Sequence, residues 1–213
     1  MNSTWKIFLT MPISEPETNF ALILEKMQAH PWNNDGAGKS SWEHFLFKRI
    51  VQLSEDICLL DEKKSAASIP MIFRAIFEAQ VDLFLIIEDE NYCKLLEYQE
   101  LKQKLKIQTD ADLLAYGIEK VPGSQLKKDK IRVRDLEEND PEYVKGFNFQ
   151  RKLEIAFDRP DDSWEKLYVT YRVMANYVHG MAYNPKELIK MSKKCMDFLV
   201  MLLESILERV APG

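Results

Sequence analysis

The chain has 213 residues, of which 46% are apolar and 30% charged, so it can bury the core of a globular protein. Its net charge of −5 excludes an overall basic field for nucleic acid or an anionic membrane, so a nucleic-acid partner would need a local basic patch. No apolar run approaches the roughly 18–20 residues of a membrane span, and the three cysteines are far apart, as in reduced intracellular proteins. A cytoplasmic protein with no membrane segment is predicted.

Residues 1–40 are predicted to form an irregular N-terminal extension, and residues 41–213 a helical domain. Prolines interrupt the extension, and the loop-forming stretch NNDGAGKSS ends it. Apolar residues at helical spacing predict one short helix inside the extension, at about 18–29.

From residue 41 onward, apolar side chains recur three and four positions apart, which is the spacing of a helix with one buried face. The segment at about 66–88 is apolar on nearly every side and is expected to be central. No segment alternates as a β-strand does. An all-α bundle of four main long helices plus short ones is therefore predicted, with helices at about 41–62, 66–88, 90–118, 163–182 and 185–210, and loops around one or two short helices at 119–162.

The predicted helix at 163–182 carries a polar stripe. Two positions seven apart differ by only about 20° around a helix axis, so Arg172 and His179 share a face and Asn176 lies between them. Tyr183 continues the stripe if the helix extends through Gly180. The remaining surface is apolar enough to be buried, and a buried arginine needs a partner. The stripe therefore requires either a structural partner or a ligand.

The residue types of this stripe are suited to phosphate chemistry. An imidazole near neutrality can transfer protons, and a guanidinium can bind a phosphate through two hydrogen bonds. The pair fits RNA cleavage in which a ribose 2′-hydroxyl attacks the adjacent phosphorus without a metal. A structural alternative remains open, in which Arg172 pairs with a buried carboxylate and His179 with a backbone carbonyl. The scattered histidines form no metal-binding pattern, so neither a metal nor another cofactor is predicted.

Two further groups of charged residues have alternative interpretations. Arg74 and Glu78 are four residues apart in the apolar helix, which favours an internal salt bridge. Alternatively, Glu78 pairs with His179 or Arg172 and leaves Arg74 to a ligand. The basic run at 127–134 is either a solvated helix face or loop, or a patch that contacts RNA or another anion. Its candidate RNA-binding residues are Lys127, Lys128, Lys130, Arg132 and Arg134.

The stretch RVMANYVH, from Arg172 to His179, resembles the R-x(4–6)-H motif of the HEPN superfamily (higher eukaryotes and prokaryotes nucleotide-binding domains). The chain is more closely similar to a bacterial HEPN-like family that pairs an early R-x-x-x-E helix with a later Y-R-x-x-(S/A)-x-x-x-H helix. Here the first motif is Arg74 to Glu78, and the second is Tyr171 to His179. The resemblance covers about residues 41–208.

The resemblance implies a HEPN-like helical bundle and a homodimer that cleaves RNA without a metal, as in toxins, phage-defence and abortive-infection proteins. The two motifs would meet across the dimer axis, with a neighbouring regulatory or antitoxin protein as a possible partner. By the resemblance, Arg172 binds the scissile phosphate and His179 transfers a proton or stabilises the leaving group. The supporting residues would be Asn176, Arg74, Glu78 and Tyr183.

Two other functions remain open at this point. Many active HEPN members have a polar residue directly after the arginine, where this chain has Val173, and Asn176 would have to substitute for it. Some HEPN-like proteins bind nucleotides or partner proteins without cleaving anything, so a non-catalytic nucleotide-binding or partner-binding module is the first alternative. The second is a structural bundle in which the polar stripe is a buried network that sets helix register.

Overall fold

The computed structural model describes residues 16–33, 41–62, 68–109, 120–157, 164–178 and 185–210. All regular secondary structure within these ranges is helical, which confirms the predicted all-α class. None of the helices described is long and apolar enough to cross a membrane. The helices are α1 (Pro16–Ala29), α2 (Ser41–Glu62), α3 (Ile69–Glu88), α4 (Tyr92–Thr109), α5 (Gly123–Asn139), α6 (Pro141–Val144), α7 (Phe149–Ala156), α8 (Trp164–Val178) and α9 (Pro185–Val210), and a 3-10 turn (Pro31–Asn33) follows α1.

The chain divides into two compact units. The first comprises the described residues of Met1–Phe84 and Lys152–Gly213, and the second is Leu85–Arg151. The boundaries fall inside α3 and α7. The sequence predicts a boundary at residue 40, where the composition changes from proline- and loop-rich to helical. The two compact units are instead defined by which segments pack together.

Helix α3 supplies much of the core of the first unit, as its apolar sequence predicts. Between Phe73 and Phe84, most of its apolar side chains are completely buried. The ring of Phe73 contacts the ring of Phe198 in α9, with centroids 6.0 Å apart. The buried amide of Gln80 donates hydrogen bonds to the Leu202 carbonyl and the Ser205 hydroxyl. The pairing of α3 with α9 therefore combines apolar packing with buried hydrogen bonds from the Gln80 amide nitrogen.

Helix α1 confirms the short helix predicted at about 18–29. It packs against α9 and α2. Four apolar residues at helical spacing form its buried face: Phe20, Ile23, Leu24 and Met27. Pro16–Ala29 is therefore a packed helix of the first unit, and residues 1–15 and 34–40 of the predicted extension lie outside the described residues.

In the second unit, the prediction of only short helices between residues 119 and 162 was wrong. Helix α5 has 17 residues and starts directly after Pro122, whose φ of −52° is compatible with a helix start. Its buried residues, Asp129, Val133 and Leu136, recur every three or four positions and face inward. This periodicity sustains a long helix despite the many charges, because α4 and α6 pack against that face.

Candidate functional site

Three side chains of the first unit form a polar cluster at the contact between α3 and α8. Because Arg74 and Glu78 are one helical turn apart, the Arg74 Nε donates to Glu78 Oε1 over 2.9 Å. Arg74 Nη2 donates to Tyr171 Oη over 2.9 Å, and Tyr171 Oη donates to Glu78 Oε1 over 3.0 Å. The internal salt bridge predicted for Arg74 and Glu78 is confirmed, and Tyr171 closes it into a ring of hydrogen bonds.

The polar cluster is also held by its aromatic surroundings. The Arg74 guanidinium lies over the Tyr171 ring, 4.9 Å from its centroid, and the Phe77 ring lies 6.5 Å from that of Tyr171. Cation–π contacts of this kind add to the hydrogen bonds. The side chains of Arg74 and Glu78 remain 23% and 42% exposed, so the cluster is reachable from solvent.

Within the polar cluster, the raised pKa values of Tyr171 and Arg74 keep both side chains protonated, so that both can donate hydrogen bonds. Burial, reinforced by the negative charge of Glu78, raises the pKa of Tyr171 above its ordinary value. The phenol therefore stays protonated and donates. Burial opposes the charge of Arg74, but the hydrogen bond and charge of Glu78 outweigh it and raise the pKa of Arg74. Glu78 is thus occupied by its own cluster partners.

Arg172, the arginine of the R-x6-H motif, is exposed although its neighbours Thr170 and Val173 are buried. Its guanidinium carbon lies 5.9 Å from the centroid of the Tyr168 ring, and Nη1 reaches the Tyr168 hydroxyl at 3.5 Å. The expectation that the polar stripe is buried was therefore wrong for this side chain, because α8 turns position 172 toward solvent. Among the described residues, the side-chain contact of Arg172 is with Tyr168 and not with a buried carboxylate.

The rest of the stripe is only partly within the described residues. Asn176 belongs to α8, so its backbone lies one turn beyond Arg172 as predicted, but its side chain is outside the described set. His179 and Tyr183 fall in residues 179–184, which also lie outside it. The geometry between Arg172 and His179 therefore stays a prediction.

The basic run 127–134 lies on α5, in the second unit. Lys127, Lys128, Lys130 and Arg134 are exposed on it. Arg132 donates to both carboxylate oxygens of Glu97 at 2.8 Å and to Asp135 at 2.6 Å. These bonds, first those to Glu97, raise the pKa of Arg132. Arg132 is therefore a structural ion-pair residue, because a bidentate carboxylate already occupies its donors.

The sequence patterns do not predict the hydrogen bonds of Tyr171, although this residue begins the second motif, Tyr171 to His179. Its hydrogen-bond partners lie 97 and 93 positions earlier in the chain, so only the packing of α8 on α3 reveals them. Within the part of the chain that is described, no three His, Cys, Asp or Glu residues are grouped so as to hold a metal ion.

Comparison with known families gives one match. Residues 41–194 match DUF5677, a family of unknown function. The match spans most of the chain, and the chain belongs to this family. No curated protein and no solved structure matches the chain.

Proposed function

We propose that this member of the DUF5677 family is a HEPN-like endoribonuclease that needs no metal and acts as a cytoplasmic homodimer in bacterial antiphage defence or in a toxin–antitoxin-like system. The observation that carries the proposal is the exposure of Arg172. A buried, paired arginine would be unavailable to a substrate, whereas this guanidinium faces solvent and can bind a phosphate bidentately.

In the proposed reaction, the 2′-hydroxyl of one ribose loses its proton, and its oxygen attacks the adjacent phosphorus. The bond from phosphorus to the 5′-oxygen of the next nucleotide breaks, and that oxygen takes up a proton. The products are a 2′,3′-cyclic phosphate and a free 5′-hydroxyl. Arg172 stabilises the negative charge that develops on the phosphate, and His179 moves a proton or stabilises the leaving oxygen.

The polar cluster supports this reaction by holding α8 in place. Tyr171 precedes Arg172 in the chain, and its two hydrogen bonds to Arg74 and Glu78 tie this turn of α8 to α3. A catalytic guanidinium works best when its backbone does not move, because the geometry is then set before the substrate arrives. Asn176 and Tyr183 are proposed to complete the polar stripe around the phosphate.

A second candidate function, a non-catalytic module that binds a nucleotide or a partner protein, is favoured by Val173. This residue follows the motif arginine, is apolar and is only 5% exposed. It therefore provides no polar group beside Arg172 to assist proton transfer. An exposed arginine without such a neighbour can still bind a phosphate.

Cleavage of a labelled RNA pool in EDTA separates the two candidates. The wild type should produce fragments with 2′,3′-cyclic phosphate ends, and Arg172→Ala and His179→Ala should each reduce the rate by about 100-fold or more. Arg49→Ala, which removes another exposed arginine of the first unit, is the matched control and should cut at the wild-type rate.

Two results would overturn the nuclease proposal. One is a folded wild type that cuts no RNA, and the other is undiminished cleavage by both motif variants. If the inert wild type binds a nucleotide, and Arg172→Ala abolishes that binding, the binding-module function replaces the nuclease.

A further inference from the structure

The outer face of α5 carries a row of cations that the proposed chemistry does not use. At 100° per residue, Lys127, Lys130 and Arg134 fall within about 60° of one another and span about 10 Å along the axis. Ile131 lies beside them on the same face and is 59% exposed. We call these four residues the outer row.

Several charges on the other sides of α5 are engaged within the second unit. The buried Asp129 accepts a hydrogen bond from Gln125 at 2.7 Å and forms an ion pair with Lys104 at 2.8 Å. Glu137 accepts from the Tyr98 hydroxyl at 2.9 Å and from Lys102 at 3.3 Å. Arg132 is bound by Glu97 of α4, so these charges are paired between α4 and α5, although the charge of Glu137 also acts on Arg134.

The outer row itself is therefore positive although the chain as a whole has a net charge of −5. Glu138, one turn beyond Arg134 on the same face, limits the row at its C-terminal end. Ile131 is a single exposed apolar side chain, which is too little to insert into a lipid surface. Cations spaced along a helix with one apolar contact instead suit a flexible polyanion whose phosphates can adjust to them.

We propose that the outer row binds the phosphate backbone of single-stranded RNA, with Lys127, Lys130 and Arg134 on phosphates and Ile131 against a sugar or base. The choice of RNA rests on the proposed ribonuclease function. Binding is independent of base sequence, because the three cations reach phosphates and not base edges. The row gives the enzyme affinity for the strand, separately from the motif that cleaves it.

The test measures binding of a fluorescent 2′-O-methyl RNA strand, which cannot be cleaved through its 2′-oxygen, to the full chain at several salt concentrations. Each phosphate contact to a single strand contributes about 0.7 to the slope of log Kd against log salt concentration. Replacing Lys127, Lys130 and Arg134 together by Gln should lower that slope by about 2 and weaken binding at low salt.

A charge-matched control is a triple variant with Lys26→Gln, Arg49→Gln and Lys193→Gln, which removes three exposed cations from helices of the first unit. It should keep the wild-type slope. The proposal is overturned if both triple variants change the slope equally, if the wild type does not bind the strand, or if the outer-row variant binds as the wild type does. Tighter binding to duplex RNA or to anionic vesicles through the same residues would also overturn it.

Failure of this proposal is distinguishable from failure of the nuclease. If the chain binds the strand through the outer row but never cleaves RNA, the proposed RNA-binding surface is supported and the proposed nuclease activity is refuted. If cleavage requires Arg172 and His179, but the slope of log Kd against log salt concentration does not depend on the outer row, the nuclease activity is supported and the RNA-binding surface is refuted.

Discussion

At the scale of single residues, the Tyr171 hydroxyl is both a hydrogen-bond acceptor and a hydrogen-bond donor in the polar cluster. It accepts a hydrogen bond from Arg74 and donates one to Glu78, so it satisfies a cation and an anion of a different helix. Because burial and Glu78 raise its pKa, the hydroxyl keeps its proton well into the alkaline range. The Tyr168 hydroxyl, one turn before Arg172, lies 3.5 Å from Arg172 Nη1, at the limit of a hydrogen bond.

Tyr171→Phe should lower the free energy of unfolding by about 1–2 kcal/mol, because it removes two hydrogen bonds to charged groups and keeps the ring. Tyr168→Phe is the matched control and should change stability by less than about 0.5 kcal/mol. Urea unfolding followed by circular dichroism measures both. Equal effects of the two variants would mean that the polar cluster does not hold α8 on α3.

At the scale of helices, the N-terminal helix belongs to the core of the first unit. Met27 of α1 is fully buried, whereas Leu22 of the same helix is about half exposed. The two residues therefore lie on different faces of one helix. Because replacing either by Ala changes the helical propensity by a similar amount, a difference in stability between the two variants measures the packing of α1.

Met27→Ala should reduce the free energy of unfolding by about 2–5 kcal/mol, because it leaves a cavity where α1 packs in the first unit. Leu22→Ala should cost less than about 0.5 kcal/mol. Thermal and urea unfolding provide the measurement. A loss below about 1 kcal/mol for Met27→Ala would show that α1 is not part of the cooperative core.

Helices α4 and α5 of the second unit are joined by a pH-sensitive contact. Hydrogen bonding from Lys104, followed by that from Gln125, holds the pKa of Asp129 below its ordinary value. The unfolded chain therefore takes up this proton at a higher pH than the folded chain does. The resulting stabilisation is present above the unfolded pKa and is lost as the pH falls through the folded pKa.

Asp129→Asn should flatten the fall in unfolding free energy between about pH 5 and about pH 3, because the amide does not titrate in either state. It should also be less stable than the wild type at neutral pH, where the ion pair with Lys104 is intact. Glu100→Gln, at an exposed position of α4, is the control and should follow the wild-type profile. Parallel curves for Asp129→Asn and the wild type would refute the linkage.

At the scale of the whole molecule, the proposed nuclease requires two copies of the chain, so that two R-x6-H motifs meet at a two-fold axis. Sedimentation equilibrium should give twice the chain mass of 25.0 kDa. His179→Cys should form a disulfide-linked dimer on mild oxidation, because the two copies of position 179 are proposed to be close. The wild type, which retains the three native cysteines, and Glu208→Cys, at an exposed position of α9, are the controls. A fully active monomer would contradict the dimer.

The sequence by itself determined the features that depend on neighbours along the chain. Helical periodicity placed α2, α3 and α9 within a few residues, because an amphipathic or wholly apolar helix repeats its pattern locally. The spacing of four between Arg74 and Glu78 was enough to predict their salt bridge for the same reason. Asn176 follows Arg172 by one turn because both lie in the continuous helix α8.

Only the tertiary structure decided which helical faces meet. It added Tyr171 to the salt bridge, turned Arg172 to solvent and tied Arg132 to Glu97, a residue 35 positions away. It also extended α5 to 17 residues and placed α1 in the core. The physical reason is the same in each case: the burial and ionic partners of a side chain are set by residues distant in sequence, and helical periodicity carries no information about them.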